Sequence, residues 1–327
     1  MTPKIVAYKS LPPDVLDYLR EHAQVVVLES DLAHEALAAA VGEALVDADG
    51  AIGASVKVTP AMIEHATRLK AISTISVGVD NFDLADLTRR GIVLAHTPDV
   101  LTESTADTVF ALVLSTARRV VELADWVKAG QWRGSIGPEQ YGVDVNGKTI
   151  GIVGLGRIGG ALARRAALGF GMRVLYTNRH PNEVAERAYG ARRVELDDLL
   201  AQSDFVCLQV PLTPQTRRLI SATELRAMKR SAILINASRG AIVDEAALIA
   251  ALADGTIAGA GLDVFEHEPL AADSPLLAMR NVVALPHIGS ATHETRHAMA
   301  RCAAENLVAA LAGQLSRNVA NPEVLAR

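Results

Sequence analysis

The sequence predicts an α/β protein built on two parallel sheets. Three observations carry this expectation. Short β-rich apolar runs alternate with amphipathic stretches from one end of the 327-residue chain to the other. The runs are near-continuously apolar, as parallel strands covered on both faces are. A glycine-rich turn joins one of the runs to a helical stretch. Strand and helix alternating in this way define α/β domains, and the length suits about two domains of roughly 100–200 residues each.

The first block has runs at residues 5–8, 25–28, 51–53, 71–76 and 92–96, with helical stretches such as 13–21 and 84–90 between them. The second block has runs at 149–153, 173–177, 205–210, 232–236, 259–264 and 282–285. Between the blocks, residues 102–129 read as one long helix, with Leu112, Leu114, Val121 and Val127 at apolar positions. Ser104 and Asp107 offer it a capping-box start. It either links the blocks or makes a subunit contact. Residues 130–147 read as an extended loop in which Trp132 and Tyr141, like Trp126 before them, are expected to pack, the alternative being a loop aromatic that reaches a neighbouring subunit's pocket. The last helix, 292–311, is expected to cross back to the first block. No fixed-period repeat or low-complexity segment interrupts this pattern.

Composition narrows the class. Half of the residues are apolar, 21% are charged and the net charge is −5, with a pI near 6.0. A disordered or collagen-like chain is excluded, and the lack of a basic excess argues against a nucleic-acid partner. No stretch long enough to span a bilayer escapes a charge, so no membrane helix is expected. The apolar residues between Lys4 and Lys9 are too few for a signal peptide. Cys207 and Cys302 frame no disulfide scaffold, so the cytoplasm is the expected place. Cys207, inside a strand run, reads as core.

Gly154, Leu155, Gly156, Arg157, Ile158 and Gly159 spell GxGxxG after an apolar run and before a helix predicted over 158–168. In that context the glycines serve a tight turn, close approach to a pyrophosphate and close helix packing, with the anion on the helix N-terminus. The alternative is a glycine-rich turn that binds nothing. An NAD site places a carboxylate about 20 residues later, on the ribose 2′-OH. No acidic residue occurs from Lys148 to Asn182; Arg179 stands at that place, with Asn178 and His180 beside it. A guanidinium matches a phosphate and has no reason to prefer a hydroxyl. NADP(H) is therefore expected over NAD(H), which stays possible; the competing reading makes Arg179 an ordinary surface arginine.

Hydride transfer to a carbonyl needs, besides the cofactor, a group that polarises the carbonyl and a proton for its oxygen. Candidates follow the later strand runs, where ligands of open α/β sheets bind. Arg239 follows one run, Asp263, Glu266 and Glu268 another, and His287 the last. Taken singly, each has a structural alternative: a cap or salt bridge for Arg239, an acidic turn for the glutamates, a satisfied strand-end histidine for His287.

These segments resemble the D-isomer-specific 2-hydroxyacid dehydrogenases along the whole chain. The likeness is carried by residues 73–83, 102–119, 151–159, 236–248, 260–270 and 286–292. The opening YKSLPPD, the stretch ISVGVDNFD and the stretch PHIGSATHETR are most similar to the branch of bacterial glyoxylate/hydroxypyruvate reductases, also called 2-ketogluconate reductases. The resemblance implies two doubly wound parallel-sheet domains, one flavodoxin-like and one Rossmann, with an interdomain cleft as the active site. Residues 1–101 and 291–327 would form a discontinuous substrate domain, and 102–290 the dinucleotide-binding domain. It implies Arg239 as the group that binds the substrate carboxylate and polarises the carbonyl. His287 would be the general acid, and Glu268 its partner, which should raise the histidine pKa. Val77 and Gly78 would hold the substrate carboxylate by backbone N–H groups, and Asp263 would contact the nicotinamide carboxamide side. Thr108, Val210, Pro211, Thr216, Ala237, Ser238 and Ser290 would line the cofactor or substrate. A homodimer is implied, with the long helix and its following loop as interface.

His293, Glu294 and His297 spell HExxH, a zinc-hydrolase pattern. It is rejected because the same segment completes the dehydrogenase likeness and no evident third ligand accompanies it; no metal is expected. The fold also hosts nucleotide-sensing binding proteins and corepressors, against which the set Arg239, Glu268 and His287 speaks. The expected reaction is NADP(H)-dependent reduction of a small 2-oxo acid such as glyoxylate, hydroxypyruvate or 2-ketogluconate to a D-2-hydroxy acid. The residues after Leu311 are too few for the regulatory domain that phosphoglycerate dehydrogenases often add, and Glu268 disfavours formate dehydrogenases, which place Gln there.

Overall fold

The computed structural model describes residues 2–28 and 33–326. The chain divides into two compact units, Met1–Leu101 with Thr292–Arg327, and Thr102–Ala291.

The first unit contains β1 (Lys4–Ala7), α1 (Pro13–His22), β2 (Gln24–Val27), α2 (His34–Leu45), β3 (Gly50–Gly53), β4 (Ala71–Thr74), α3 (Leu84–Arg90) and β5 (Val93–Ala95). Its sheet has the order β2-β1-β3-β4-β5 with every pair parallel, the flavodoxin-like arrangement. Val6, Ala51, Ile72 and Leu94 point to one face and pack with Val41, Leu45 and Leu87. The final helix of the chain covers other strand positions and closes the same unit: Leu307 and Leu311 reach within 3.1 and 3.2 Å of where a Cβ on Gly50 would stand. On that helix Met299, Ala300, Ala303, Ala304 and Leu307 are buried, an i, i+3, i+4 stripe. Thr292 caps it by accepting a hydrogen bond from the Thr295 N–H. After the helix the chain returns to β5. Asn321 accepts from the Leu94 N–H at 2.8 Å and donates to the Ile92 carbonyl at 2.9 Å.

The second unit opens with α4 (Thr102–Ala117) and α5 (Val120–Lys128), then β6 (Thr149–Val153), α6 (Arg157–Arg164), β7 (Arg173–Thr177), α7 (Glu183–Tyr189) and β8 (Arg192–Arg193). It continues through α8 (Leu196–Gln202), β9 (Phe205–Leu208), α9 (Ala222–Ala227), β10 (Ile233–Asn236), α10 (Glu245–Ala253), β11 (Gly259–Leu262) and β12 (Val282–Ala284); the closing helix of the chain is α11 (His293–Leu311). The seven strands run in the order β12-β11-β10-β9-β6-β7-β8, all parallel. Read from β8, the first six follow the doubly wound dinucleotide-binding order. Ile150, Ile152, Cys207 and Ile235 face a core with Leu112, Val113 and Leu162, while Val206, Leu208 and Leu234 face a second one with Leu199, Leu225 and Leu248. Cys207 is fully buried, and burial pushes its thiol pKa up.

Three local expectations are corrected. The predicted helix over 102–129 is two helices, because Arg119 takes a left-handed backbone, φ 54°. That turn is held by the Arg119 guanidinium, which pairs with Glu122 at 2.7 and 2.8 Å and donates to the carbonyls of Glu139 and Tyr141. Ser104 does not cap α4. The helix starts at Thr102, and the Ser104 carbonyl already accepts from the Thr108 hydroxyl one turn on. Trp132 and Tyr141 do not pack in the chain: they are 61% and 59% exposed, and Val120, Val121, Val127, Ile136 and Val143 of the same segment are exposed too. The helix after the glycines covers the expected stretch, passing after Arg164 into one π-helical turn, Arg165–Gly169.

Candidate active site

The strand order of the second sheet reverses between β6 and β9, and the glycine turn sits at their carboxyl ends. Gly154 has φ +101°, and a Cβ there would stand 2.6 Å from the Gln209 carbonyl oxygen and 2.8 Å from Val210. A Cβ on Gly159 would stand 2.3 Å from the Gly154 carbonyl oxygen, whereas one on Gly156 would meet nothing. The turn is therefore packed on its inner side and open at Gly156, where α6 begins: the shape an anion at a helix N-terminus requires. The Leu155 side chain is buried, and its backbone is already engaged, its N–H donating to Asn178 Oδ1 at 2.8 Å and its carbonyl accepting from Asn182 at 3.0 Å. Asn178 thus braces the turn. Arg157 is exposed and Ile158 half-buried beside it.

At the end of β7 the Arg179 side chain is exposed. Among the described residues it has no carboxylate partner; of the nearby glutamates, Glu183 pairs with Arg187 and Glu186 accepts from the Tyr176 hydroxyl at 2.6 Å. These features fit a dinucleotide that carries a 2′-phosphate. Farther along the sheet, Val210 and Pro211 follow β9, and the Thr216 hydroxyl closes their turn by donating to the Pro211 carbonyl at 2.6 Å.

The ends of β10, β11 and β12 carry the candidate side chains. Buried Asn236 shapes the first: its Oδ1 accepts from the Ser238 N–H and hydroxyl, and its amide donates to the Arg239 carbonyl at 3.0 Å. Ala237 packs on the core and Arg239 is half-buried. Gly240 lets this turn touch the next, since a Cβ there would overlap the Phe265 carbonyl carbon at 1.8 Å. Glu268 Oε1 accepts from the Phe265 N–H at 3.1 Å, and Glu268 Oε2 lies 2.7 Å from His287 Nδ1. Burial works to raise the Glu268 carboxyl pKa, but the bonds from His287 and Phe265 and the charges of His287 and Arg239 outweigh it, so the net shift is downward. Glu266 pairs instead with Arg218 at 3.3 Å.

His287 itself has φ +56°, a backbone that costs a non-glycine residue of order 1 kcal/mol or more. Asp263, wholly buried, holds it there. Its two carboxylate oxygens accept from the Ile288 N–H at 2.7 Å and the Gly289 N–H at 2.8 Å. Burial raises the Asp263 pKa, and these bonds and His287 only partly oppose it. The Thr108 hydroxyl on α4 reaches the Gly289 carbonyl at 3.4 Å, and Ser290 follows, half-buried. The His287 ring stays 48% exposed.

In the first unit, residues 76–78 follow β4. Their carbonyls are all tied back: Ser76 O accepts from the Thr97 N–H at 2.9 Å, Val77 O from His96 Nδ1 at 3.0 Å, and Gly78 O from the Ser76 hydroxyl at 2.6 Å. The N–H groups of Val77 and Gly78 donate to no protein atom among the described residues. Adjacent backbone donors without acceptors make an anion-binding concavity.

Sequence reasoning named the side chains and missed their braces: Asn236, Gly240 and the Phe265 N–H in the second unit, and Ser76 and His96 in the first. Gly240 adjoins Arg239 in sequence and was the one signal on offer; the others carry none. The HExxH residues lie elsewhere in use, His297 Nε2 being 2.9 and 3.1 Å from the Asp14 carboxylate oxygens. Among the described residues no group of three His, Cys, Asp or Glu could hold a metal, and no helix is long and apolar enough to cross a membrane.

The fold and these loops define the class. A family profile described as D-isomer specific 2-hydroxyacid dehydrogenase, NAD binding domain, matches residues 110–289, and the chain belongs to that family. It is 58% identical over 328 residues to glyoxylate/hydroxypyruvate reductase B of Yersinia enterocolitica, covering 99% of both chains. Among solved structures it is similar to a protein of Thermus thermophilus, with 43% identity, TM-score 0.88, and 97% and 99% of the two chains covered. It is also similar to an NADPH-dependent glyoxylate/hydroxypyruvate reductase of Sinorhizobium meliloti in complex with NADP and malonate. That likeness has 36% identity and TM-score 0.83, over 94% of this chain and 93% of that one.

Proposed function

We propose that the protein reduces small 2-oxo acids, glyoxylate and hydroxypyruvate foremost, to D-2-hydroxy acids with NADPH as the preferred reductant and NADH as a poorer one. The observation that carries this is the 2.7 Å contact between His287 Nδ1 and Glu268, with Arg239 on the adjoining turn. The 58% identical reductase and the NADP-bound neighbour support it. When bound, the cofactor supplies hydride from the nicotinamide C4. Gly154, Gly156 and the start of α6 would hold its pyrophosphate, Arg179 its 2′-phosphate, and Val210, Pro211, Thr216, Ala237, Ser238 and Thr108 would line it.

The chain's own groups do the rest. Val77 and Gly78 hold the substrate carboxylate by their N–H groups. Arg239 holds that carboxylate as well and draws charge onto the carbonyl oxygen. His287, with Nδ1–H directed to Glu268, presents Nε2 and gives its proton to that oxygen; ionised Glu268 balances the imidazolium before transfer. Asp263 acts on this step by fixing the turn after His287, and a nicotinamide contact would add to the two backbone bonds its oxygens accept. Ser290 lines the substrate side. The exposed apolar stripe through α5 and residues 130–143 would be covered in a homodimer. Two free thiols suit a reducing compartment, the cytoplasm.

Initial rates with glyoxylate and hydroxypyruvate, using NADPH and NADH side by side, test the reading. A higher kcat/KM with NADPH that collapses in Arg179→Ala supports it; equal or better rates with NADH would remove the 2′-phosphate argument.

A further inference from the structure

A second arginine stands at the end of β7. Strand β8 is only Arg192–Arg193 and pairs parallel with β7 at the edge of the sheet, Arg193 in register with Tyr176. From there Arg193 Nε donates to the Asn178 carbonyl at 3.0 Å and Nη2 to the Arg179 carbonyl at 3.1 Å. Its Nη1 has no protein acceptor among the described residues, and like Arg179 it has no carboxylate partner there.

This arrangement changes the electrostatics of the strand end. Two adjacent carbonyl oxygens would present partial negative charge to anything bound at residues 178–179. One guanidinium bridging both cancels it and leaves a surplus of positive charge beside Arg179. A 2′-phosphate, carrying close to two negative charges, gains from that surplus, whereas a ribose hydroxyl gains little. The planar fork of arginine meets the two carbonyls with two separate nitrogens and leaves Nη1 for a third acceptor, a geometry that the single nitrogen of a lysine ammonium does not reproduce.

We propose that Arg193 is the second arginine of a 2′-phosphate site, fixing the backbone that carries Arg179 and adding its own charge. The inference rests on the NADPH reading and concerns which residues create that preference.

Calorimetric titration with two cofactor fragments, adenosine 2′,5′-bisphosphate and AMP, tests it on wild type, Arg179→Ala, Arg193→Gln and Arg193→Lys. Arg193→Gln is expected to weaken the bisphosphate about tenfold and leave AMP within about twofold. Arg193→Lys should recover only part of the loss. Wild-type affinity for the bisphosphate in Arg193→Gln, or equal losses for both fragments, would overturn the proposal while leaving the role of Arg179 intact. Equal affinity of the wild type for the two fragments would instead overturn the NADPH reading, and this inference with it.

Discussion

The carboxyl ends of the two sheets are built from different materials. In the first unit the loop after β4 offers backbone alone: three carbonyls tied back by Thr97, His96 and Ser76, two N–H groups left to donate. In the second unit the loops after β10, β11 and β12 offer charged side chains, Arg239, Glu268 and His287, on turns braced by Asn236, Gly240 and Asp263. The difference separates two tasks. In the proposed reaction neutral dipoles that titrate nowhere help Arg239 to hold the substrate carboxylate. A carbonyl that gains a hydride and a proton needs groups whose charge can change, and those must be held against strain, as His287 is.

This contrast predicts where substitutions hurt and in which constant. The largest effect is expected from His287→Ala, a loss of about 10²–10⁴ in kcat with NADPH affinity, measured by fluorescence titration, unchanged. Arg239→Lys keeps charge but loses the fork, and kcat/KM should fall by about 10²–10³ in steady-state assays. In the first unit the same assays should behave differently. His96→Ala frees the Val77 carbonyl and should raise KM for the 2-oxo acid about tenfold with kcat nearly kept; an equal fall in kcat would break the comparison.

Smaller and of another kind is the pH response of Glu268. Its folded pKa lies below the ordinary carboxylate value, so its pairing stabilises the fold above that ordinary value and is lost as pH falls through the lowered one. The Tm gap between wild type and Glu268→Gln should therefore hold at neutral pH and close in acid. A gap independent of pH would show that the carboxylate charge is not what matters.

How much of this was legible follows the same division. Strands of continuous apolar residues announce themselves, and the runs at 149–153 and 173–177 coincide with β6 and β7. Charged residues just after such runs stand out, which made Arg239, Glu268 and His287 candidates before any geometry. Braces do not. Nothing local distinguishes the buried, bidentate role of Asp263 from a surface acid, and nothing near Glu266 announces that Arg218 arrives from another loop to pair with it. The break between α4 and α5 was hidden because Arg119 is an ordinary helix former; only its contacts with Glu122, Glu139 and Tyr141 make the left-handed turn stable. β8 escaped because two arginines carry no apolar signal.

The most direct test of the account is glyoxylate-dependent oxidation of NADPH by the wild type and by His287→Ala at equal cofactor occupancy. Turnover by the wild type and a loss of at least about 10² in the variant are expected. A variant that turns over at the wild-type rate would contradict the account.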